Sequence, residues 1–225
     1  MDNCSDDDSV QYVKDRFSNP KLHIIRLNKN YGFAKSVNIA THFAASKAKY
    51  FVFLNNDTEV KPNWLTELIK TMELDPLIGS AQSVTLYPRT NIIQCKGMRL
   101  LRLCGWAWSM GKGLKYSNAC QESEHLICAS GVAMAVRKDI FTELGGFDED
   151  FFMYFEDIDL SWRMWLYGYK VVLSPKSVVY HYGSTTVNSI CKNFAHVVSI
   201  ESHYSKNVIS ILIKNFAIGY IDENQ

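Results

Sequence analysis

Apolar positions along this chain recur with two periods. YFVFL at 50–54 is an unbroken apolar run of the kind that a strand buried on both faces requires. LHIIRL at 22–27 is a similar short run, and between the two Val37, Ala40 and Ala44, with Ile39 and Phe43 beside them, fall at helical spacing over about 34–47. Strand, helix and strand in this order predict a βαβ unit, and so a parallel sheet with helices on its faces. Val10, Val13 and Phe17 mark a short helix over 8–17 behind an acidic start. Pro62 stands where a first helical turn tolerates it; Trp64, Leu65, Leu68, Ile69 and Met72 carry the period on, and Asp75-Pro76 stops it.

The pattern then changes. Segments 79–87, 91–101 and 125–136 read as strands around a Gly-rich loop, GWAWSMGKG at 105–113, so the second half is more antiparallel. A helix over 156–167 places Ile158, Trp162, Trp165 and Leu166 on one face, and Gly168 suits a left-handed cap. The expected architecture is one α/β domain over 1–188, with a mixed, mostly parallel central sheet and helices on both faces. A helical tail over 189–225, with apolar positions interleaved with Lys192, Lys206 and Lys214, either packs on that domain or lies at a membrane surface.

Composition narrows the classes. At 225 residues and 47% hydrophobic content the chain can bury a sizeable core. Lys plus Arg total 24 against 23 Asp plus Glu, and the resulting +1 gives no electrostatic case for a nucleic-acid partner. Six cysteines show no C-x-x-C pair, and MDNCSDDDSV is the opposite of a basic, apolar signal peptide, so reduced thiols and a cytoplasmic location are expected. The apolar stretch VISILIKNFAIGYI at 208–221 is broken by Lys214 and Asn215 and is shorter than the roughly 20 residues a bilayer requires. Peripheral contact at the inner face of a membrane is the most this tail predicts.

Two carboxylate groups carry the candidate chemistry. Glu156, Asp157 and Asp159 stand nearly side by side in the aromatic-rich FFMYFEDIDLSWRMWLYGYKV. Like charges so close need either partners or a chemical use. Asp159 has a partner at i+4, Arg163, and the pair reads as helix support. Asp157 has no such local cation and lies in the first helical turn, where the helix dipole favours an anion. The second group is Asn55-Asn56-Asp57, at the carboxyl end of the strand in FVFLNNDTEV, where open α/β sheets bind ligands. Hard oxygen donors there suit Mg2+ or Mn2+ bridging a diphosphate; the same residues also make a good turn and helix cap.

Taken together, NYGFAKSVN (30–38), LNNDTEV (54–60), ASGVAMAVRKDIFTELGGFDEDFF (129–152), YFEDIDLSWR (154–163) and HYGSTT (181–186) resemble family 2 glycosyltransferases of the GT-A fold, and most of all their rhamnosyltransferase-like members. The resemblance covers essentially the whole chain. It implies a Rossmann-like GT-A sheet and inverting transfer from a nucleotide-sugar donor to a glycan or lipid-linked acceptor. Asp57 matches the last aspartate of a metal-binding D-x-D, with Asn55 in place of the first, so a divalent metal (Mg2+ or Mn2+) is implied. Asp157 matches the catalytic base, and Glu156 beside it is placed to orient the acceptor. His181 matches a histidine that contributes to metal or phosphate binding, or is simply hydrogen-bonded at a strand end. Asn30, Gly32 and Asn56 fall on the nucleotide-sugar side, and Asp2 matches an aspartate that holds the nucleobase. Trp106 and Trp108 either stack on an acceptor sugar from a mobile loop or pack together.

Members of that family begin with a β-α-β unit ahead of the motif matched by MDN, so the chain is expected to be N-terminally truncated by about 30 to 40 residues. That expectation leaves an alternative open, a non-catalytic glycan- or protein-binding module. A nucleotidyltransferase would need a Gly-rich basic loop for a triphosphate, which the sequence lacks.

Overall fold

The structure, a computed structural model, describes residues 1–44, 48–101, 106–116, 123–183 and 202–214, with the backbone alone at 100, 101 and 106. Its first half contains α1 (Ser9–Arg16), α2 (Phe33–Phe43), β1 (Tyr50–Leu54), β2 (Thr58–Val60), α3 (Trp64–Met72) and β3 (Ile78–Leu86). There follow β4 (Ile93–Cys95), β5 (Met98–Leu101), β6 (Trp106–Ser109), β7 (Ala133–Arg137), α4 (Lys138–Glu143), α5 (Glu156–Leu166) and β8 (Lys170–His181). A final helix, α6, occupies 202–214.

The main sheet has the order β1-β7-β3-β8-β2, with β4 added to β3. β3 is buried at every position, as a central strand must be when helices cover both faces. Alternation along the strands divides the core into two layers. Phe51, Phe53, Met134, Val136, Val171 and Leu173 face α2, α4 and α5, where they meet Ala34, Ile140, Phe141, Leu160 and Met164. Ala81, Ala135 and Val172 face the other way, onto Leu68 and Met72 of α3. The expected α/β class with a mixed sheet and helices on both faces is what forms. Its balance is more antiparallel than the βαβ pattern suggests: β3–β8 is a parallel ladder, whereas β1–β7, β7–β3, β3–β4 and β8–β2 are antiparallel. β7 is the reason, because it inserts between two strands that run the same way.

Three local expectations are corrected. LHIIRL is not a strand: it contributes one parallel bridge, Arg26 to Asp2, closed by the Asp2 amide donating to Ile25 O at 2.8 Å and the Leu27 amide to Asp2 O at 2.9 Å. GWAWSMGKG is not a mobile loop over its described part, because Trp106–Ser109 pairs with Met98–Leu101 as an antiparallel hairpin. On α5 the buried positions are Glu156, Ile158, Asp159, Leu160, Ser161 and Met164, while Trp165 is exposed and donates its indole N–H to Leu126 O and Ile127 O. Among the described residues the free cysteines are Cys4, exposed, and Cys95 and Cys128, buried, and burial pushes both buried thiols up. Cys104, Cys120 and Cys191 lie outside the described residues, as do 189–201 and 215–225 of the tail. Among the described residues no helix is long and apolar enough to cross a membrane.

The segment leading into α5 is held by long-range contacts. Asn38 on α2 donates to Phe147 O at 2.7 Å and accepts from the Phe147 amide at 3.0 Å, pinning the turn at Gly145 and Gly146. Just before the helix, Tyr154 (φ 70) and Phe155 (φ 74) both have left-handed backbone. Each such non-glycine residue costs on the order of 1–3 kcal/mol and persists only where its surroundings impose it. Phe151, Phe155, Ile158 and Cys128 form a cluster with Ile211 of α6, so the tail helix packs on this segment.

Asp159 and Arg163 do more than brace one helix. The pair is buried, 2% and 17% exposed, at 2.6 Å, and the guanidinium also donates to Leu144 O and Gly146 O. Asp159→Asn should therefore destabilise the fold by about 3–5 kcal/mol, far more than an exposed i,i+4 pair, because it leaves a buried guanidinium without its anion. Denaturant unfolding checks this, and a loss under about 1 kcal/mol would mean that the pair is solvated.

Candidate active site

At the carboxyl end of β1 the chain turns through Asn55-Asn56-Asp57 into β2. The turn is closed by the Thr58 hydroxyl donating to Asn55 O at 2.6 Å. β2 pairs with the end of β8 in a register that sets Thr58 opposite His181, and the Tyr182 amide donates to Asp57 O at 3.0 Å. The two predicted metal-side residues thereby meet: His181 Nε2 lies 3.2 Å from Asp57 Oδ1, with the side chains 14% and 18% exposed.

What lies between these atoms depends on the histidine's proton. Gln94 on β4 donates its amide to His181 O at 3.4 Å, which turns its Oε1 toward His181 Nδ1 at 2.7 Å, so Nδ1 carries the hydrogen. Burial lowers the His181 pKa, with Asp57 opposing, and so favours the neutral ring. A neutral ring turns the Nε2 lone pair toward a carboxylate oxygen, and two acceptors at that distance repel unless a cation lies between them. The separation suits one: donors at about 2.1 Å and right angles on a six-coordinate ion stand about 3 Å apart. The residues therefore fit a divalent ion held by one carboxylate and one imidazole. Among the described residues no group of three or more His, Cys, Asp and Glu gathers as a metal cluster, so the rest of such an ion's shell has to come from a ligand or water.

Asp157 sits across a short loop from this turn. The Gly131 amide donates to its Oδ2 at 2.7 Å and the Ile158 amide to its Oδ1 at 2.8 Å. The next residue of that loop, Val132, accepts from the Asn55 amide at 2.9 Å. Residues 131 and 132 therefore fasten the two carboxylate motifs to one another. The loop is in turn held by Gln82, whose Oε1 accepts from the Ser130 amide at 2.6 Å from within the fully buried β3. Burial raises the Asp157 pKa, and the amide hydrogen bonds pull it back.

Glu156 is handled differently. It is buried, its Oε2 has no hydrogen-bond partner, and desolvation together with the Asp157 charge pushes its pKa up to about 8.

On the predicted donor side, Asn30, Gly32 and Asp2 converge through a residue that the sequence reading passed over. Asn3 donates to Asn30 Oδ1 at 2.9 Å and to Gly32 O at 3.0 Å, and accepts from the Tyr31 amide at 2.9 Å. Gly32 is needed for its φ of 80 and for backbone contact with the chain itself, since a Cβ there would lie 2.2 Å from Phe152 O. Asp2 accepts from the Ser5 amide at 3.0 Å and pairs with Arg26 at 3.2 Å; that second contact has the distance of an ion pair without hydrogen-bond alignment. Asn56 is exposed, and so is Trp108, whereas of Trp106 only the backbone on β6 is described. Gln82, Gln94 and Asn3 are the site-building residues that sequence reasoning missed. Only Gln82 left a signal, as an amide in the middle of a predicted buried strand.

Glu156 makes stability depend on pH. Its carboxyl is protonated more readily folded than unfolded, so its contribution is full below about pH 4.5 and is lost as pH rises through about 8. Glu156→Gln should melt close to wild type near pH 5 and above wild type at pH 9, as read by Tm across pH. Parallel curves for the two proteins would show that Glu156 does not titrate with folding.

With this geometry in hand, comparison with known proteins places the chain. The family model for glycosyl transferase family 2 matches residues 1–145. The N-acetylglucosaminyl-diphospho-decaprenol L-rhamnosyltransferase of Mycobacterium tuberculosis is 27% identical over 199 residues, covering 80% of this chain and 64% of the relative. The rhamnosyltransferase WbbL of Escherichia coli is 28% identical over 161 residues, covering 68% of this chain and 61% of that protein. The chain thus spans less than two thirds of the length of either relative. Among solved structures, the mannosyltransferase PcManGT from Pyrobaculum calidifontis, in complex with GDP-Man and Mn2+, superposes with a TM-score of 0.57 at 17% identity, over 80% of this chain and 46% of that one. That likeness shows a shared GT-A-like fold, and the family match, which extends over more than half of the residues, shows that the chain belongs to glycosyl transferase family 2.

Proposed function

We propose that this chain moves a sugar, with inversion, from a nucleoside-diphosphate donor to a glycan or lipid-linked acceptor. The observation that carries the reading is the loop at 131 and 132, which hydrogen-bonds Asp157 on one side and the Asp57 turn on the other. A base and a phosphate-side anion site brought to one loop are what such a reaction requires. The names of the relatives support it: two are rhamnosyltransferases, one of them named for a diphospho-decaprenol substrate, and the mannosyltransferase structure holds GDP-Man with Mn2+.

In this reading Asp157 takes the proton of the acceptor hydroxyl as that oxygen attacks the anomeric carbon. Each of its oxygens accepts one amide hydrogen bond and retains a further lone pair. Its raised proton affinity suits a base working nearer neutrality. Glu156, protonated at neutral pH, offers a donor to the acceptor side. Asp57 and His181 would hold a divalent ion, Mn2+ or Mg2+, which when bound supplies Lewis-acid stabilisation of the departing diphosphate. Asn30, Gly32, Asn56 and Asp2 belong to the donor side, and Trp108, with Trp106 on the same strand, to the acceptor side. A cytoplasmic location with peripheral membrane contact fits Ile209 and Ile213 of α6, which are 59% and 66% exposed on one helical face.

The test is nucleoside diphosphate release across a set of nucleotide sugars with Mn2+ or Mg2+. Asp157→Asn should retain donor and metal binding by calorimetry while transfer slows by about 100- to 10,000-fold. Asp57→Ala should abolish metal-dependent binding of the nucleoside diphosphate with the fold intact. Normal turnover in Asp157→Asn would remove it as the base. If wild type binds glycan yet releases no diphosphate from any donor, the chain is a non-catalytic binding module.

A further inference from the structure

The segment that delivers Asp157 is held from the far side by one buried amide. Asn207, on α6, is 1% exposed, and its side-chain nitrogen donates to Met153 O at 2.9 Å and to Tyr154 O at 2.8 Å. These are the carbonyls of the turn in which Tyr154 and Phe155 both have positive φ, directly ahead of the first residue of α5. An L residue enters that conformation readily only where its neighbours hold it there. Contacts on either side of the amide are consistent with such a clamp. The Phe155 ring stands edge-on to Tyr204 with centroids 4.9 Å apart, Ile211 is buried against Phe151 and Ile158, and Lys214 pairs with Asp148 and with Asp150 at 2.7 Å. From the opposite direction the Phe33 amide donates to Phe152 O at 2.7 Å, so the segment is fixed between the loop at Gly32 and α6.

We infer that Asn207 is a positioning residue: it sets the left-handed turn at 154 and 155, and through it the angle at which α5 presents Asp157 to the Gly131 amide. The catalytic part of this inference rests on the proposed role of Asp157 as base. The chemistry at position 207 is restrictive. A neutral amide offers two hydrogens from one nitrogen, enough for both carbonyls. Aspartate would set an anion against two carbonyl oxygens, and alanine would remove the amide donor from both part-buried carbonyls. Both of these hydrogen bonds go to backbone carbonyls, so the effect on the reaction passes through the backbone.

The experiment compares Asn207→Ala and Asn207→Asp with Ser205→Ala, a change at an exposed position of the same helix. Two readouts are taken on the full chain: amide hydrogen exchange, and nucleoside diphosphate release resolved into kcat and donor KM. Both Asn207 variants should speed exchange at the Ile158 and Gly131 amides by about tenfold or more while β3 and β7 amides keep their protection. kcat should fall by as much as about 100-fold with donor KM nearly unchanged, the pattern of a misplaced base. Ser205→Ala should do neither. Unchanged exchange at Ile158 and Gly131 in both variants would overturn the inference, and so would a uniform rise across the sheet, which marks a residue that only stabilises the fold. If wild type shows no turnover but the local exchange effect is present, the glycosyl-transfer reading fails and the control of Asp157 by Asn207 stands.

Discussion

The hydrogen bond from the Gly131 amide to Asp157 is the contact on which the rest of the site depends. It joins a loop anchored in the centre of the sheet to the first turn of a helix that packs on that sheet's face. Its donor end is fixed because Gln82, inside a strand with no exposed position, holds the neighbouring Ser130 amide. Its acceptor end is fixed because α5 buries Leu160 and Met164 in the main core. The same loop reaches the Asp57 turn through Val132. A shift of this loop would therefore move the Asp157 and Asp57 carboxylates together.

The approach to α5 shows how a strained segment is made rigid. Residues 148–155 hold little regular structure of their own, and two of them sit at positive φ. Their order comes from outside: Asn38 and Phe33 of α2 on one flank, Asn207 and Ile211 of α6 on the other. Gly32 is part of the same arrangement, because any side chain there would collide with Phe152 O. The loop at Gly32 and the segment leading into α5 are thus in backbone contact, so that ordering one has a direct mechanical path to the other.

Much of the fold was legible where one face of an element meets one neighbour. YFVFL matched β1 residue for residue, the helix at 64–72 followed its apolar period, and both it and the helix at 156–166 ended at their stop signals. LHIIRL misled because β propensity needs a partner, and the partner here is a single residue, Asp2. The Trp-Ala-Trp-Ser stretch carried a period-two alternation that its flanking glycines masked. On α5 the chain placed small and polar residues, Ser161 and Asp159, on the inner side and a tryptophan outside, an inversion that composition cannot announce. At the site, the charged residues were readable from spacing and resemblance. The neutral amides that aim them, Asn3, Gln82, Gln94 and Asn207, were not, because their partners lie 27 to 87 positions away.

Why a chain should crowd carboxylates into an apolar region then has a physical answer, different for each one. Asp159 is neutralised by a buried guanidinium that itself closes the ends of the Gly145-Gly146 turn. Burial raises the proton affinity of Asp157, and two backbone amides, one from the loop at Gly131 and one from the first turn of α5, oppose that rise by favouring its anion. Glu156, with no comparable partner, gives up its charge instead. That choice lowers the repulsion on Asp157, since two ionised carboxylates on adjacent residues would each raise the other's proton affinity. Asp57 faces an imidazole whose other nitrogen is committed to Gln94, a pairing that becomes fully favourable when a proton or a metal ion lies between the two. Four acidic side chains thus occupy one region by four separate means, and Asp157 is the one whose two oxygens are each aimed by a backbone amide.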